Sequence, residues 1–508
     1  MKAIKNITKG LIVLSAVALV GCSDDYLETT STDSVDARIM AETVNGTYRA
    51  LNGLHREMVS QESGYQCFGG LPGFMFTRDW AADDITCHAT SNWWSRLATW
   101  QYHMDRNSGY QTSYWRIYYQ WILNANKILE ALAAIDKSNL TEPDQELYEQ
   151  VQGEALCIRA FAHYDMVQQY AKSFVPGGSN TQDGVPYRLT SEVGELARST
   201  VAETYRLIIA DLDNAISLLE GKEVNDVNHK DYLNHYSEKV ALGLRARVAL
   251  TMGDYANAAN YAEQAITVAE NEGFKLMSTP GEFTCGFSNI TTDTNEALYA
   301  AMTLDDQTVY FYSFYAYMSW NFNSSAVRSY VNYMNKELYE SMSPTDYRRA
   351  WADPTGKADV PKSNYKKAPY QNRKFTARSS SNGVGDVAFM RLAELYLIAS
   401  EAYARAGQES AAKEIFTKFQ QTRDPEYTTS SNTGEAFITE IMNSRRVELW
   451  GEGQRYFDLK RLHQDLQRDS LSDPSLCGFT FKDADADGWV FEIPQHEVDY
   501  NPLCTYNY

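Results

Sequence analysis

The chain has 508 residues, 44% apolar and 22% charged, which fits a folded globular protein and excludes collagen-like, low-complexity and mostly disordered chains. Its 66 acidic against 46 basic residues give a net charge of −20, a field that repels phosphate backbones. With no basic stripe anywhere, nucleic-acid binding is excluded. The length allows about three domains at roughly 150 residues each, or one large helical array. The excess is in aromatics, with 35 Tyr, 20 Phe and 10 Trp. A core uses many of these, and so does a sugar-binding surface.

The first segment reads as an address. Lys2, Lys5 and Lys9 precede an apolar run over 11–20 broken only by Ser15. That is a signal-peptide core, too short for the roughly 20 residues a membrane-spanning helix needs. It ends Leu19-Val20-Gly21-Cys22, which resembles a bacterial lipobox. The expectation is cleavage after residue 21, lipid on Cys22, and an acidic tether over 22–35. The run Ser23-Asp24-Asp25-Tyr26-Leu27-Glu28 is similar to the export signal of Bacteroidetes surface lipoproteins. Two or more acyl chains hold a protein stably on a membrane, so the mature chain is expected to be anchored rather than spanning. The remaining cysteines (67, 87, 157, 285, 477 and 504) are too few for a disulfide scaffold and lack zinc-like spacing. They are expected to be mostly buried thiols, with Cys67–Cys87 a conceivable loop bridge.

From residue 36 onward helical periodicity dominates, with no clear run of alternating strands. Long helical patterns cover 37–58, 114–134, 143–170 and 201–219. Pro143 suits a first turn, where its missing N–H has no partner to lose. Over 237–270 two helices meet at Gly253, with small residues at Ala246, Ala258 and Ala265 where they cross; this matches a tetratricopeptide repeat. A second unit, over 392–406 and 411–419, places Gly407, Ala412 and Phe416 at the positions of Gly253, Ala258 and Ala262. Further helices are expected over 437–450 and 455–465. The prediction is a mainly α fold of about four helix pairs. Two stretches, 60–112 and 272–385, show no sustained period; loops of that length are usually functional and should fold onto one side of the scaffold.

Those stretches hold the aromatic concentrations. One carries Trp80, Trp93, Trp94, Trp100 and Tyr102 beside Arg78, His88 and Asn92; the other runs from Tyr310 through Phe314, Tyr315, Tyr317 and Trp320 to Phe322. Indole and phenol rings stack on the C–H faces of sugars, while Asn, Arg and His meet hydroxyls. The candidate ligand contacts are His88, Asn92, Trp93, Trp94, Tyr315, Tyr317 and Trp320.

Signals for bond chemistry are thin. Asp79, Asp83 and Asp84 invite comparison with a glycosidase pair, but read better as a carboxylate cluster that orders its loop. There is no HExxH, phosphate loop or GxSxG, so no catalytic or metal-ligating residue is assigned. Asp483-x-Asp485-x-Asp487-Gly488 begins like a calcium loop, yet Pro494 stands where an EF-hand needs its glutamate. Calcium in another geometry is the one cofactor left open. Arg445, Arg446, Glu448, Glu452, Arg455, Asp458 and Arg461 are expected to form an ionic network that locks the C-terminal helices to the repeats, joined by Glu394 and Glu401.

Several blocks together resemble the RagB/SusD family. They are Trp115-x5-Trp121-x2-Asn124-Ala125-Asn126, Glu154-Ala155-x3-Arg159-Ala160-Phe161, Gly184-Val185-Pro186, Arg198-Ser199-Thr200, Arg391-Leu392-Ala393-Glu394, Arg445-Arg446-x-Glu448-Leu449-x2-Glu452-Gly453 and Ile493-Pro494-x2-Glu497-x3-Asn501-Pro502. The resemblance implies a SusD-like domain over 36–508 with a loop-rich ligand-binding face built from the two aromatic stretches. It also implies a glycan ligand, a SusC-like TonB-dependent transporter as partner, and a lipid-anchored place on the outer membrane facing the medium. Peptide capture is the alternative, and a surface glycoside hydrolase a remote one.

Overall fold

The structure, a computed structural model, describes residues 43–61, 69–86, 95–224, 226–304, 313–324, 328–469 and 474–508. The signal segment, Cys22, the tether, Cys67 and Cys87 lie outside the described residues.

Helix α1 (Val44–Val59) starts where the Thr43 side chain accepts from Gly46 N–H, and buries Leu51, Leu54, His55 and Met58. Helix α3 (Gly109–Ala133) opens on Ser108 and α4 (Glu142–Tyr170) on Thr141, with Pro143 in the first turn as expected. Residues 153–170 of α4 are buried without interruption, which makes it the central rod of the N-terminal half. Then follow α5 (Val201–Leu219), α6 (Glu238–Thr251), α7 (Tyr255–Asn271), α8 (Leu392–Arg405), α9 (Glu409–Arg423), α10 (Gly434–Glu448) and α11 (Arg455–Arg461). These helices pack serially. α1 lies on α3, α3 on α4, α4 on α5, α5 on α6, and so on to α8 and α9, with α10 closing against α8. The array is the helix-pair scaffold the sequence indicates. Where the two repeat units meet, Ala246, Ala249, Ala258, Ala259, Ala262, Ala399 and Ala402 form one buried cluster with Leu250 and Ile398, so α6, α7 and α8 approach closely.

Two elements depart from the periodicity reading. Helix α2 (Gly70–Ala81) falls inside the 60–112 stretch, and all twelve of its residues are buried. A helix buried on every side, here with Thr77, Arg78 and Asp79 interred too, has no amphipathic stripe to detect. It begins at Gly70 with φ +59°, where a Cβ would run into the Met58 carbonyl, so α2 folds straight back on the end of α1. The second is an antiparallel pair, β1 (Ala297–Ala301) with β2 (Val387–Arg391), buried on both faces and therefore without alternation. β2 runs directly into α8, since Arg391 is the residue that caps it. Residues 302–386 are thus an excursion that leaves and re-enters the scaffold through one two-stranded gate. No helix of the described residues is long and apolar enough to cross a membrane.

Candidate functional site

Ionic locks seat the excursion and the first loop on the scaffold. Arg391 sits between Glu296 on the approach to β1, Glu448 at 2.7 Å on α10, and Glu452 at 2.6 Å. Glu448 also takes Arg423 of α9 at 3.0 Å and Arg348 of the excursion at 3.3 Å. Burial pulls its pKa upward, but the three guanidinium groups outweigh that and hold it well below the usual carboxylate range. Lys374, also from the excursion, donates to the carbonyls of Glu448 and Trp450 and to Glu452; burial pushes its pKa down to about 8. A second lock joins Arg445 and Arg461 to Asp458, and Arg461 to Glu401 at 2.7 Å. Glu394 holds Arg247 of α6 at 2.6 Å. The charged C-terminal blocks therefore act as the expected network.

Two further arginines hold the carboxylates of the first loop. Asp83 is held by Arg455 at 2.7 Å and Asp84 by Arg446 at 2.5 Å, both salt-bridged in the interior. Asp79 accepts Gly453 N–H at 2.7 Å, and burial pushes its carboxyl up to about 7. All three order the segment after α2 against α10 and α11, as a loop-ordering cluster should.

Among the described residues of the two aromatic concentrations, five belong to the core: Trp80, Trp100, Phe314, Tyr315 and Phe322. Trp80 is 3% exposed and donates its indole N–H to Asn332 Oδ1. Trp100 is 5% exposed, with its indole N–H on the Ala81 carbonyl. Phe314 and Phe322 are buried too. Tyr315 corrects the sequence reading: at 1% exposure, with its hydroxyl on the Asp386 carbonyl and its ring filling the space a Cβ at Gly385 would need, it has no face for a ligand.

Tyr317 and Trp320 differ, both half-buried. Tyr317 stacks on Phe76 of α2 at 5.1 Å between ring centroids and meets Trp80 edge-on. Trp320 is held from three sides. Its backbone N–H donates to the Phe375 carbonyl, its indole N–H donates to Thr376 Oγ1 at 2.8 Å, and the Arg373 guanidinium lies 4.2 Å from its ring centroid. Arg373 Nε and Nη2 are buried and make no hydrogen bond. Beside them, Asn321 clamps Ala377 through both its amide atoms, and Arg328 donates to Asn323. Because Lys374 and Phe375 are tied to the scaffold, the Trp320 strip is positioned by the ionic lock beneath it.

His88, Asn92, Trp93 and Trp94 lie outside the described residues. The chain leading to them is placed: Ile85 bridges Met334, and Thr86 N–H donates to the Tyr333 carbonyl. Tyr333 in turn bridges Gln371, two residues from Arg373. The first aromatic segment therefore departs from the strip that carries Trp320. Of the described cysteines, Cys157, Cys477 and Cys504 are buried and Cys285 is half-buried. The Asp483–Asp487 turn is knit by local bonds, with the Asp483 carboxylate accepting Asp485 N–H and the Trp489 indole N–H donating to the Asp483 carbonyl.

A family model described as starch-binding and associating with outer membrane matches residues 74–250, and one described as the SusD family matches residues 245–508. No curated protein matches the chain. Among solved structures, a sugar-binding protein from Bacteroides vulgatus is similar, at 24% identity and a TM-score of 0.76, over 92% of this chain and 98% of its own. A SusD superfamily protein from Bacteroides thetaiotaomicron aligns at 21% identity and a TM-score of 0.75, over 92% of this chain and all of its own. A laminarin-binding SusD-like protein aligns at 18% identity and a TM-score of 0.66, over 91% and 98%. At these identities the shared property is the fold.

Proposed function

The chain belongs to the SusD/RagB family, and from that premise we propose that it is a lipid-anchored glycan-binding protein of the outer-membrane surface. It captures oligosaccharides or polysaccharides and passes them to a SusC-like TonB-dependent transporter, with no bond chemistry of its own. The observation that carries the reading is Trp320, a part-exposed indole fixed by Thr376 and Arg373. A sugar ring stacks on the face of the indole turned away from Arg373. Tyr317 extends the same surface, and His88, Asn92, Trp93 and Trp94 supply contacts from the segment that leaves beside Tyr333. The sugar-binding and laminarin-binding relatives support the ligand class. Cys22 carries the lipid that keeps the platform at the membrane.

The test is affinity electrophoresis of the wild type through gels containing single polysaccharides, with a peptide pool assayed in parallel. Retardation by at least one glycan and none by peptide supports the reading. Peptide binding without glycan binding would transfer the protein to the peptide-capturing branch, and release of reducing ends would make it a hydrolase.

A further inference from the structure

Away from the Trp320 surface, three residues distant in sequence converge in the N-terminal core. His55 on α1, Glu154 on α4 and His235 ahead of α6 are 3%, 0% and 3% exposed. His55 Nε2 lies 2.8 Å from Glu154 Oε2, and His235 Nδ1 lies 2.9 Å from the same oxygen. One candidate ligand atom from each residue lies within 4.8 Å of the others. Two imidazoles and a carboxylate are the donor set of divalent transition-metal sites, with Zn2+ the commonest occupant.

We propose that His55, Glu154 and His235 bind one divalent transition-metal ion, which staples α1 and the segment before α6 to the central helix α4. The distances from the carboxylate to the two rings need little adjustment, and the two ring nitrogens, within 4.8 Å of each other, close on the ion. A tetrahedral ion with bonds of about 2.0–2.1 Å separates its ligand atoms by about 3.3 Å, so both imidazoles retreat from the carboxylate by about half an ångström. The ion takes the place of the protons that now join the rings to the oxygen, and those protons leave to solvent. The carboxylate is oriented by groups outside the set: Gln150 donates to Oε1 at 2.9 Å and Tyr236 N–H to Oε2 at 3.1 Å. Glu154 Oε1 or a water completes the fourth position. The rings are walled by Tyr236 beside His55 and by Tyr48 and Tyr232 beside His235. Tyr48 is half-buried and Tyr232 is 46% exposed, so the way in from solvent runs past these two phenols.

The test uses the purified protein stripped with chelator and dialysed against Zn2+, Co2+ or Cu2+. The expected result is one retained equivalent by elemental analysis, a melting midpoint that rises with Zn2+, and a Cu2+ spin-resonance spectrum showing two imidazole nitrogens. His235→Gln keeps a donor for Glu154 and should fold, with retained metal falling at least tenfold. Replacing the exposed His229, His463 and His496 together by Ala should leave the equivalent in place. No retained metal, retention unchanged in His235→Gln, retention lost in the surface triple variant, or a spectrum without two nitrogens would each overturn the proposal. The spin-resonance measurement stands on the wild type alone, whatever the variants do.

Discussion

Arg391 Nη1 and Glu448 Oε1 meet at 2.7 Å in a place where neither side chain has any accessible surface. The pair joins the gate of the excursion to α10, and Glu448 serves Arg423 and Arg348 as well. A buried charge deprived of its partner is far costlier than the intact pair is stabilising.

Glu448→Ala takes one carboxylate from three buried guanidinium groups, leaving Arg391 with Glu296 and Glu452, Arg423 with Glu296, and Arg348 with Asp346. The expected loss is at least about 3–5 kcal/mol, seen as a large drop in melting temperature or in soluble yield. Glu203→Ala, which removes the partner of Arg206 on the exposed face of α5, should leave the melt unchanged. Equal effects of the two would contradict the ionic lock.

Two turns separate backbone strain from crowding. Gly253 and Gly407 have φ of +70° and +75° at equivalent points of the two repeat units. A Cβ at Gly407 meets nothing within 4 Å, whereas one at Gly253 would lie 2.6 Å from Pro176 Cγ. Gly407→Ala should cost about 1 kcal/mol, from the left-handed conformation alone. Gly253→Ala should cost clearly more, measured by urea unfolding.

Acid sensitivity follows from two interior histidines. His103 donates from Nδ1 to the Gly488 carbonyl, and His163 pairs Nδ1 with the Arg159 carbonyl while Nε2 accepts Arg188 N–H. Burial pushes each imidazole down to about 3. The unfolded chain takes up these protons near pH 6.5 and the folded chain does not. Their contribution is therefore complete above pH 6.5 and is lost as pH falls from there toward 3, by about 1.4 kcal/mol per unit for each group. The buried Asp79 carboxyl, pushed up to about 7, works in the opposite direction over the same range, so the readout is the wild type against His163→Gln. Between pH 7 and 5.5 the urea midpoint of His163→Gln should lose less, or gain more, than that of the wild type. An identical pH response of the two would mean the ring is not held neutral.

The proposed lipid anchor has its own readout. Cys22→Ala should move the protein from the membrane fraction to the soluble fraction and remove acyl label, because a chain with no lipid has no comparable apolar hold. Continued membrane retention would place the anchor elsewhere.

How much of this was legible depended on whether a residue's environment leaves a pattern. The small residues at Ala246, Ala258 and Ala265 and the glycines at 253 and 407 announce close helix crossings, and the repeats lie where they indicate. The ionic role of Glu448, Glu452 and Asp458 was readable because charges at helical spacing need partners. Helix α2 and strands β1 and β2 were invisible for the opposite reason, since an element buried on all sides has no period. Tyr315 and Trp320 show the limit for the site. Five residues apart in one aromatic run, they are indistinguishable in sequence, yet one ring fills the space over Gly385 and the other reaches the surface. The His55–Glu154–His235 cluster spans separations of 99 and 81 residues, and only the packing of α1 on α4 brings it together.

The most direct measurement is calorimetric titration, with the polysaccharide that retards the wild type, of wild type, Trp320→Ala and Trp320→Phe, each checked by thermal melt. On truncation Trp320 gives up one hydrogen bond and the Arg373 contact, together about 1.5–3 kcal/mol of stability, so the fold should survive. Affinity should fall at least tenfold in Trp320→Ala and recover in part in Trp320→Phe. Unchanged affinity in a folded Trp320→Ala would show that the sugar is held elsewhere and contradict the account.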